Sequence, residues 1–363
     1  MKFSKFRLGL GFDWTLYIIP FLLCVFGIVI IYSIDYGVKD NIAYDQILYT
    51  IVGFVIAIAL SLFDYKILKG MYLIIYLSGL FLLILVMLVG STTFGATRWI
   101  DLYFFKLQPS ELFKIINLII LAKLFSDWEV ISFKKFLAAA GLVLLPLVMI
   151  LMQPDLGTAS VIFVSFLAIL FMSKIKKIYI VIGLAVLIAL SPIGWHFLRD
   201  YQKNRVVAFI NPATDPQGAG YNVSQAKIAV GSGGLLGRGI GKGTQSQLNF
   251  LPVAHTDFIF AGTAEATGFV GSSFLIILIF ILIIRVYNIA ATARDDFGMY
   301  LAGGIGTIFL FQTLVNAGMN LGIMPVTGIP LPFVSYGGSS MLTNMAALGI
   351  LQSIYLRHKV INF

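Results

Sequence analysis

His255, Thr256 and Asp257 stand directly ahead of an apolar run that continues almost unbroken to Ile284. A carboxylate there has two chemical uses. It can cap the first backbone N–H groups of a helix, whose dipole favours its charge, or it can act as an acid–base group at the mouth of the segment. In LQPSELFKI, Glu111 and Lys114 are three residues apart and share one helical face. Ionisable groups at such depth rarely face lipid. The pair therefore either neutralises itself between helices or lines a polar cleft for a charged lipid headgroup. TFGATRWID supplies Arg98 and Trp99, a common interfacial anchor. QPDLG supplies Asp155, as the cap of a helix or a carboxylate turned toward the same cleft. GIMPVTGIPLPFVSYGGSS offers Ser335, Ser339 and backbone N–H groups, in a rigid re-entrant turn or a binding groove.

Several chemistries are disfavoured. His196, His255 and His358 are far apart, and neither HExxH nor CxxC occurs, which argues against a zinc enzyme. No nucleophile elbow is present. GSGGLLGRGIGKGT, 231–244, fails as a phosphate loop, because Gly243 follows Lys242 and Leu236 stands where a glycine is required. It reads as a flexible loop. The single Cys24 cannot form an intramolecular disulfide.

The elements that must position these groups are membrane helices. The 363 residues are 59% hydrophobic and 11% charged, with a mean hydropathy of +0.96, far from a soluble composition. The expected fold is an all-α polytopic membrane protein of about ten spans, since the backbone must satisfy itself in hydrocarbon. The spans are 14–34, 46–63, 71–90, 109–125, 136–153, 157–173, 178–197, 258–284, 298–320 and 336–356, with QPDLG breaking the fifth from the sixth. The first is too long for a removable signal peptide and reads as an anchor.

Charge then orients the bundle. Lys2, Lys5, Arg7, Lys66, Lys69, Lys123, Lys134, Lys135, Lys174, Lys176, Lys177, Arg285, Arg294, Arg357 and Lys359 fall on the face shared by the termini, against Lys39, Arg98 and Lys106 opposite. Both termini are expected in the cytoplasm. The net charge of +9 is thus largely an orientation signal beside anionic membrane lipids, and nucleic acid is not an expected partner. Residues 198–257 form a large extracytoplasmic loop between the seventh and eighth spans, within one membrane domain covering 1–363. A loop of that size is usually functional. Within it, YNVSQAKIAVGSGG predicts an amphipathic helix with 223, 226, 229 and 230 on one side, suited to the membrane surface.

GATRWIDLYFFKLQPSELFKI, QPDLGTA, NPATDPQGAGYNVSQAKIAVGSGG, GKGTQSQLNFLPVAHTDFIFA and MPVTGIPLPFVSYGGSS, in this order, resemble the SEDS family (shape, elongation, division and sporulation proteins) over nearly the whole chain. GTQSQLNFLP and GIPLPFVSYGGSS look like its elongation branch more than its division branch. The resemblance implies a peptidoglycan glycosyltransferase that polymerises lipid II at the outer face of the bacterial cytoplasmic membrane. It also implies a class B penicillin-binding protein as partner, with other membrane proteins of the elongation complex. Asp257 is implied as the catalytic carboxylate, together with a polar cavity involving Glu111 and Lys114 and with Arg98 and Asp155 as further candidates; His255, two residues before Asp257, is also expected to contact substrate. Two departures remove acids: Val253 replaces a Glu before HTDF, and Ala266 follows Glu265 where two acids often stand.

For that reaction, Asp257 is expected to take the proton of the attacking sugar 4-hydroxyl, held ionised by the helix dipole. Pyrophosphate leaves as an acidic anion, so cations are needed rather than a second carboxyl. Arg98, Lys114, Arg205 and Lys227 are candidates, with a divalent ion, Mg²⁺ or Mn²⁺, between a carboxylate and the phosphates as a further one. Two rival readings are a lipid II flippase and a non-catalytic scaffold for the penicillin-binding protein. The first predicts charges along a transmembrane path and inverted repeats, whereas the polar residues cluster at the outer face. The second predicts that Asp257 can be neutralised without loss of polymer.

Overall fold

The computed structural model describes residues 11–35, 42–93, 96–102, 105–197, 200–211, 215, 218–248 and 250–358. Of the orienting charges, Lys2, Lys5, Arg7, Lys39 and Lys359 lie outside the described residues. In chain order the helices are α1 (Thr15–Ile34), α2 (Ile42–Leu62), α3 (Lys66–Gly70), α4 (Tyr72–Val89), α5 (Pro109–Asp127), α6 (Phe133–Met152), α7 (Leu156–Met172) and α8 (Lys177–Phe197). They continue as α9 (Asp200–Ile210), α10 (Ala219–Gly233), α11 (Thr244–Gln247), α12 (Ile259–Ala291), α13 (Asp296–Asn320) and α14 (Gly338–Leu356).

Each apolar run expected from the sequence is a helix. Among the described residues six of these, α1, α2, α4, α6, α12 and α13, are long and apolar enough to cross a membrane. Their outward faces are apolar, with Val55, Ile74, Phe81 and Phe269 all exposed, while Gln46, Asn117, Gln312, Asn316 and Gln352 point inward and are buried. This inversion of the soluble pattern suits a solvent of lipid tails, where only packing and internal hydrogen bonds hold helices together. The chain is a multi-pass membrane protein.

Two expectations need correction. The chain is not all-α: between α4 and α5, β1 (Ser91–Thr93), β2 (Ala96–Asp101) and β3 (Lys106–Leu107) form a three-stranded antiparallel sheet in the order β1-β2-β3. In the segment after α8, the helices α9, α10 and α11 occupy much of the chain. The amphipathic helix exists as α10, but Val223, Ala226 and Ala229 are buried. The helix packs chiefly on α12, so that face serves the bundle and not the membrane surface.

The core lies where α13 meets α5, α7 and α12, and α2 lies along α14. The connection from α13 to α14 dips into this core, with Ile329, Leu331, Phe333 and Val334 essentially inaccessible. Gly27 of α1 permits the close approach: a Cβ there would meet the Val334 carbonyl at 2.6 Å. This buried connection is one wall of the site described next.

Candidate active site

Asp257 lies two residues before α12. Phe258 holds the N-cap position and no side chain caps the helix, so neither Thr256 nor Asp257 serves as the cap. Asn320, at the end of α13, partly replaces one: its Oδ1 accepts from Ala261 N at 3.0 Å. Asn316 and Asn320, one turn apart on α13, both donate to the Asp257 carbonyl, at 3.0 and 3.1 Å. Asn316 Nδ2 also reaches the Ile329 carbonyl at 2.8 Å. Ser335 Oγ donates to the Thr256 carbonyl at 2.7 Å, and Tyr336 N donates to the His255 carbonyl at 2.9 Å. Three successive carbonyls, 255 to 257, are thereby tied to α13 and to the buried connection.

The side chain of Asp257 then faces a charged rim. Burial pushes its carboxyl above the ordinary range, opposed by the charges of Arg205 and Arg98 and by a hydrogen bond from Thr256, while Asp155 adds to the rise. Desolvation outweighs the cations here. Gly328, at φ +76°, brings the α13–α14 connection close, and a Cβ there would stand 3.3 Å from Asp257 Oδ2.

The two neighbours are themselves fixed. Arg98 on β2 donates through Nε to the Gln153 carbonyl at 2.9 Å and through Nη2 to the Pro154 carbonyl, which seats the sheet on the turn between α6 and α7. Asp155 is both things the sequence allowed. It caps α7 through Thr158 N at 3.1 Å and turns toward α5, accepting from Gln108 Nε2 at 3.1 Å and Ser110 Oγ at 3.3 Å. Arg205, half-buried, comes from α9.

The other sequence candidates have different surroundings. Glu111 Oε2 and Lys114 Nζ are 2.7 Å apart with side chains only 4% and 1% exposed, a sealed pair rather than an open cleft. The Lys227 side chain is exposed on α10, with its aliphatic arm across Gly322. Ser339 Oγ donates to the Lys106 carbonyl at 2.9 Å and accepts from Gln108 N at 2.8 Å. Ser335 Oγ accepts from Leu331 N at 2.8 Å, so both hydroxyls are engaged with backbone. The His255 ring stands edge-on to Tyr336, centroids 5.6 Å apart.

Sequence reasoning missed Gln46, Asn316 and Asn320. Gln46 of α2 donates to the Ser335 carbonyl at 3.1 Å and accepts from Gly337 N at 3.3 Å. Polar side chains one turn apart inside an apolar helix, as Asn316 and Asn320 are, carried the available signal. For a metal, the carboxylates of Asp155 and Glu265 are already occupied by protein donors. Among the described residues no group of three or more His, Cys, Asp or Glu side chains converges.

Comparison with known proteins places this geometry. Residues 14–360 match the FtsW/RodA/SpoVE family, described as cell cycle proteins. The chain is 40% identical over 356 residues to peptidoglycan glycosyltransferase MrdB of Escherichia coli, covering 96% of this chain and 95% of that one. A solved peptidoglycan synthase complex that coordinates polymerization and crosslinking contains a chain of TM-score 0.83 and 30% identity, covering 96% of this chain and 99% of that one. The rod shape determining protein RodA of Thermus thermophilus superposes with a TM-score of 0.73 at 28% identity, covering 96% and 98%.

Proposed function

Because the chain belongs to the FtsW/RodA/SpoVE family of cell cycle proteins, we infer that it is a peptidoglycan glycosyltransferase, polymerising lipid II at the outer face of the cytoplasmic membrane. In this reading all ten long apolar helices span the bilayer and the basic residues keep both termini in the cytoplasm. Residues 198–257 then lie outside. The observation that carries the reading is the placement of Asp257: its backbone is pinned by Asn316 and Asn320, and its carboxyl is under the influence of Arg205 and Arg98.

The reaction joins two lipid-linked disaccharides. The acceptor 4-hydroxyl gives its proton to the Asp257 carboxylate while its oxygen bonds to the donor anomeric carbon. The bond from that carbon to the pyrophosphate oxygen breaks, the pyrophosphate leaves as an anion, and Asp257 passes its proton to water. A carboxyl raised by burial is a stronger base once ionised. Arg205 and Arg98 balance the leaving charge, and Lys227 lies on the helix after Arg205 for the same use. Attack opposite an α-linked pyrophosphate gives a β linkage. Glu111 and Lys114 serve as a neutral wall, and His255, Ser335 and Ser339 shape the groove around the acceptor.

If a divalent ion, Mg²⁺ or Mn²⁺, takes part, Asp257 would be the residue to hold it, since carboxylate and phosphate oxygens are the donors such a hard cation takes. It would supply further charge to stabilise the departing pyrophosphate. The partner proposed is a class B penicillin-binding protein, within a larger set of elongation-complex membrane proteins. This follows the related complex in which polymerization and crosslinking are coordinated.

The test is glycan-strand synthesis from purified lipid II with the cognate partner, comparing wild type with Asp257→Asn. Folding and partner binding are measured in parallel. The reading expects polymer to fall by about 100-fold or more with both controls intact. Retained polymer would turn the assignment toward a scaffold.

A further inference from the structure

Helix α12 is broken at Gly268, whose φ of +67° and ψ of −164° interrupt the helical ladder. The freed backbone groups are taken up by residues 234–239. Arg238 N donates to the Glu265 carbonyl at 2.9 Å and Gly239 N to the Ala266 carbonyl at 3.0 Å. Phe269 N and Val270 N donate to the Gly234 and Leu235 carbonyls at 2.9 and 3.1 Å. The glycine-rich stretch is thus a strap laid into a broken helix, and the glycines are what let it enter.

A carboxylate fastens the strap. Glu265 is wholly inaccessible, in the first turns of α12. Its Oε1 accepts from Gln245 N at 2.8 Å and its Oε2 from Ser246 N at 3.0 Å and Ser246 Oγ at 2.8 Å. A buried carboxylate is tolerated only when so satisfied. The strap's other edge is held on α1, where Ser33 Oγ accepts from Gly241 N at 2.9 Å and the Ser33 carbonyl from Gln247 Nε2 at 2.6 Å.

From α11 the connection runs on to Asp257. Leu251 N donates to the Gln245 carbonyl at 3.0 Å, and the Val253 carbonyl accepts from Thr256 N at 3.1 Å and Phe258 N at 3.4 Å. Val253 is left-handed, φ +52°, a conformation that a β-branched residue rarely adopts by itself and that its surroundings must impose. We propose that Glu265 is a positioning residue for Asp257: by clamping α11, whose Gln245 carbonyl holds Leu251 N, it fixes the turn at 250–257 and so the place from which the carboxylate reaches the acceptor. The inference rests on Asp257 being the base.

Glu265→Gln keeps the size of the side chain but turns one acceptor oxygen into a donor. In lipid II polymerisation by the full chain with its partner, kcat is expected to fall about 10- to 100-fold with KM changing less than about threefold, the effect of a base displaced by roughly an ångström. Hydrogen exchange at the Gln245 and Ser246 amides should quicken, and Glu265→Asp, which keeps two acceptor oxygens, should recover part of kcat. Full kcat in Glu265→Gln despite faster exchange at those amides would overturn the proposal, as would a change confined to KM. If Glu265→Gln does not fold, Ser246→Ala removes only the hydroxyl donor. A kcat fall of about threefold or more then supports the proposal, and unchanged kcat overturns it. Asp257→Asn, run alongside, separates the two ideas: if it keeps its polymer the base assignment itself fails. If it is dead while Glu265→Gln is fully active, only the positioning role is lost.

Discussion

The two ends of the helix bundle spend charge differently. Around Asp257 itself, the polar groups that fix the site are half-buried or buried and bond to backbone: Arg98 to the Gln153 carbonyl, Asn316 and Asn320 to the Asp257 carbonyl. At the opposite end Lys66 pairs with Asp295, Lys69 and Lys123 with Asp127, and Lys174 with Asp296, all with side chains partly open to solvent, and only the Arg285 pair involves a buried carboxylate, Asp13, among the described residues there. Exposed pairs contribute little to stability, and their sign is enough for orientation. Groups that fix the backbone of a site act through direction and burial. The lesson is that polarity in this chain becomes specific where it is sealed.

Substitutions should separate these regimes. The largest effect is expected at the sealed pair between the two ends. Lys114→Met strands the Glu111 carboxylate, costing about 3–5 kcal/mol, whereas adding Glu111→Gln should restore most of the stability. Thermal unfolding in detergent measures both. If the single and double variants melt together, the pair is not sealed in solution. Next comes Asn320→Leu, which leaves Ala261 N without its acceptor and removes a donor from the Asp257 carbonyl. We expect a loss of about 1–3 kcal/mol, with a fall in polymerisation exceeding the loss of folded protein. A cost at least as large is expected for Gly268→Ala, because its φ of +67° with ψ of −164° is a conformation essentially reserved for glycine, worth about 1–3 kcal/mol by itself, and a new Cβ would collide with Gly237 N. Lys174→Ala at the opposite end should stay within about 1 kcal/mol of wild type. A larger loss there would erase the contrast between the ends.

How much of this was legible beforehand differs by scale. The apolar runs marked every long helix, and QPDLG separated α6 from α7, because a helix in lipid must be apolar over its length and a break needs turn residues. The β1–β3 sheet was not legible: its strands are two to six residues long and are held by Arg98 and α6–α7 rather than by their own pattern. Nor was the break at Gly268, since a lone glycine in an apolar run is ordinary and only the strap explains it. Asp257 was legible as a polar residue at a helix start, but its cap role was not distinguishable from an acid–base role without Asn320. Glu265 read as one half of a missing acidic pair, because its partners are backbone N–H groups that a sequence pattern does not display.

The central claim is that Asp257 works as a base whose protonation is set by burial against Arg205 and Arg98. The direct measurement is the pH dependence of kcat for lipid II polymerisation, in wild type and in Arg205→Gln. A base is lost as pH falls through its pKa, so the acid limb should lie above the ordinary carboxylate value of 3.8. Arg205 favours the ionised form, so removing its charge should move that limb to still higher pH, whatever happens to the maximal rate. An acid limb at the ordinary value, or one that Arg205→Gln leaves in place, would contradict the account.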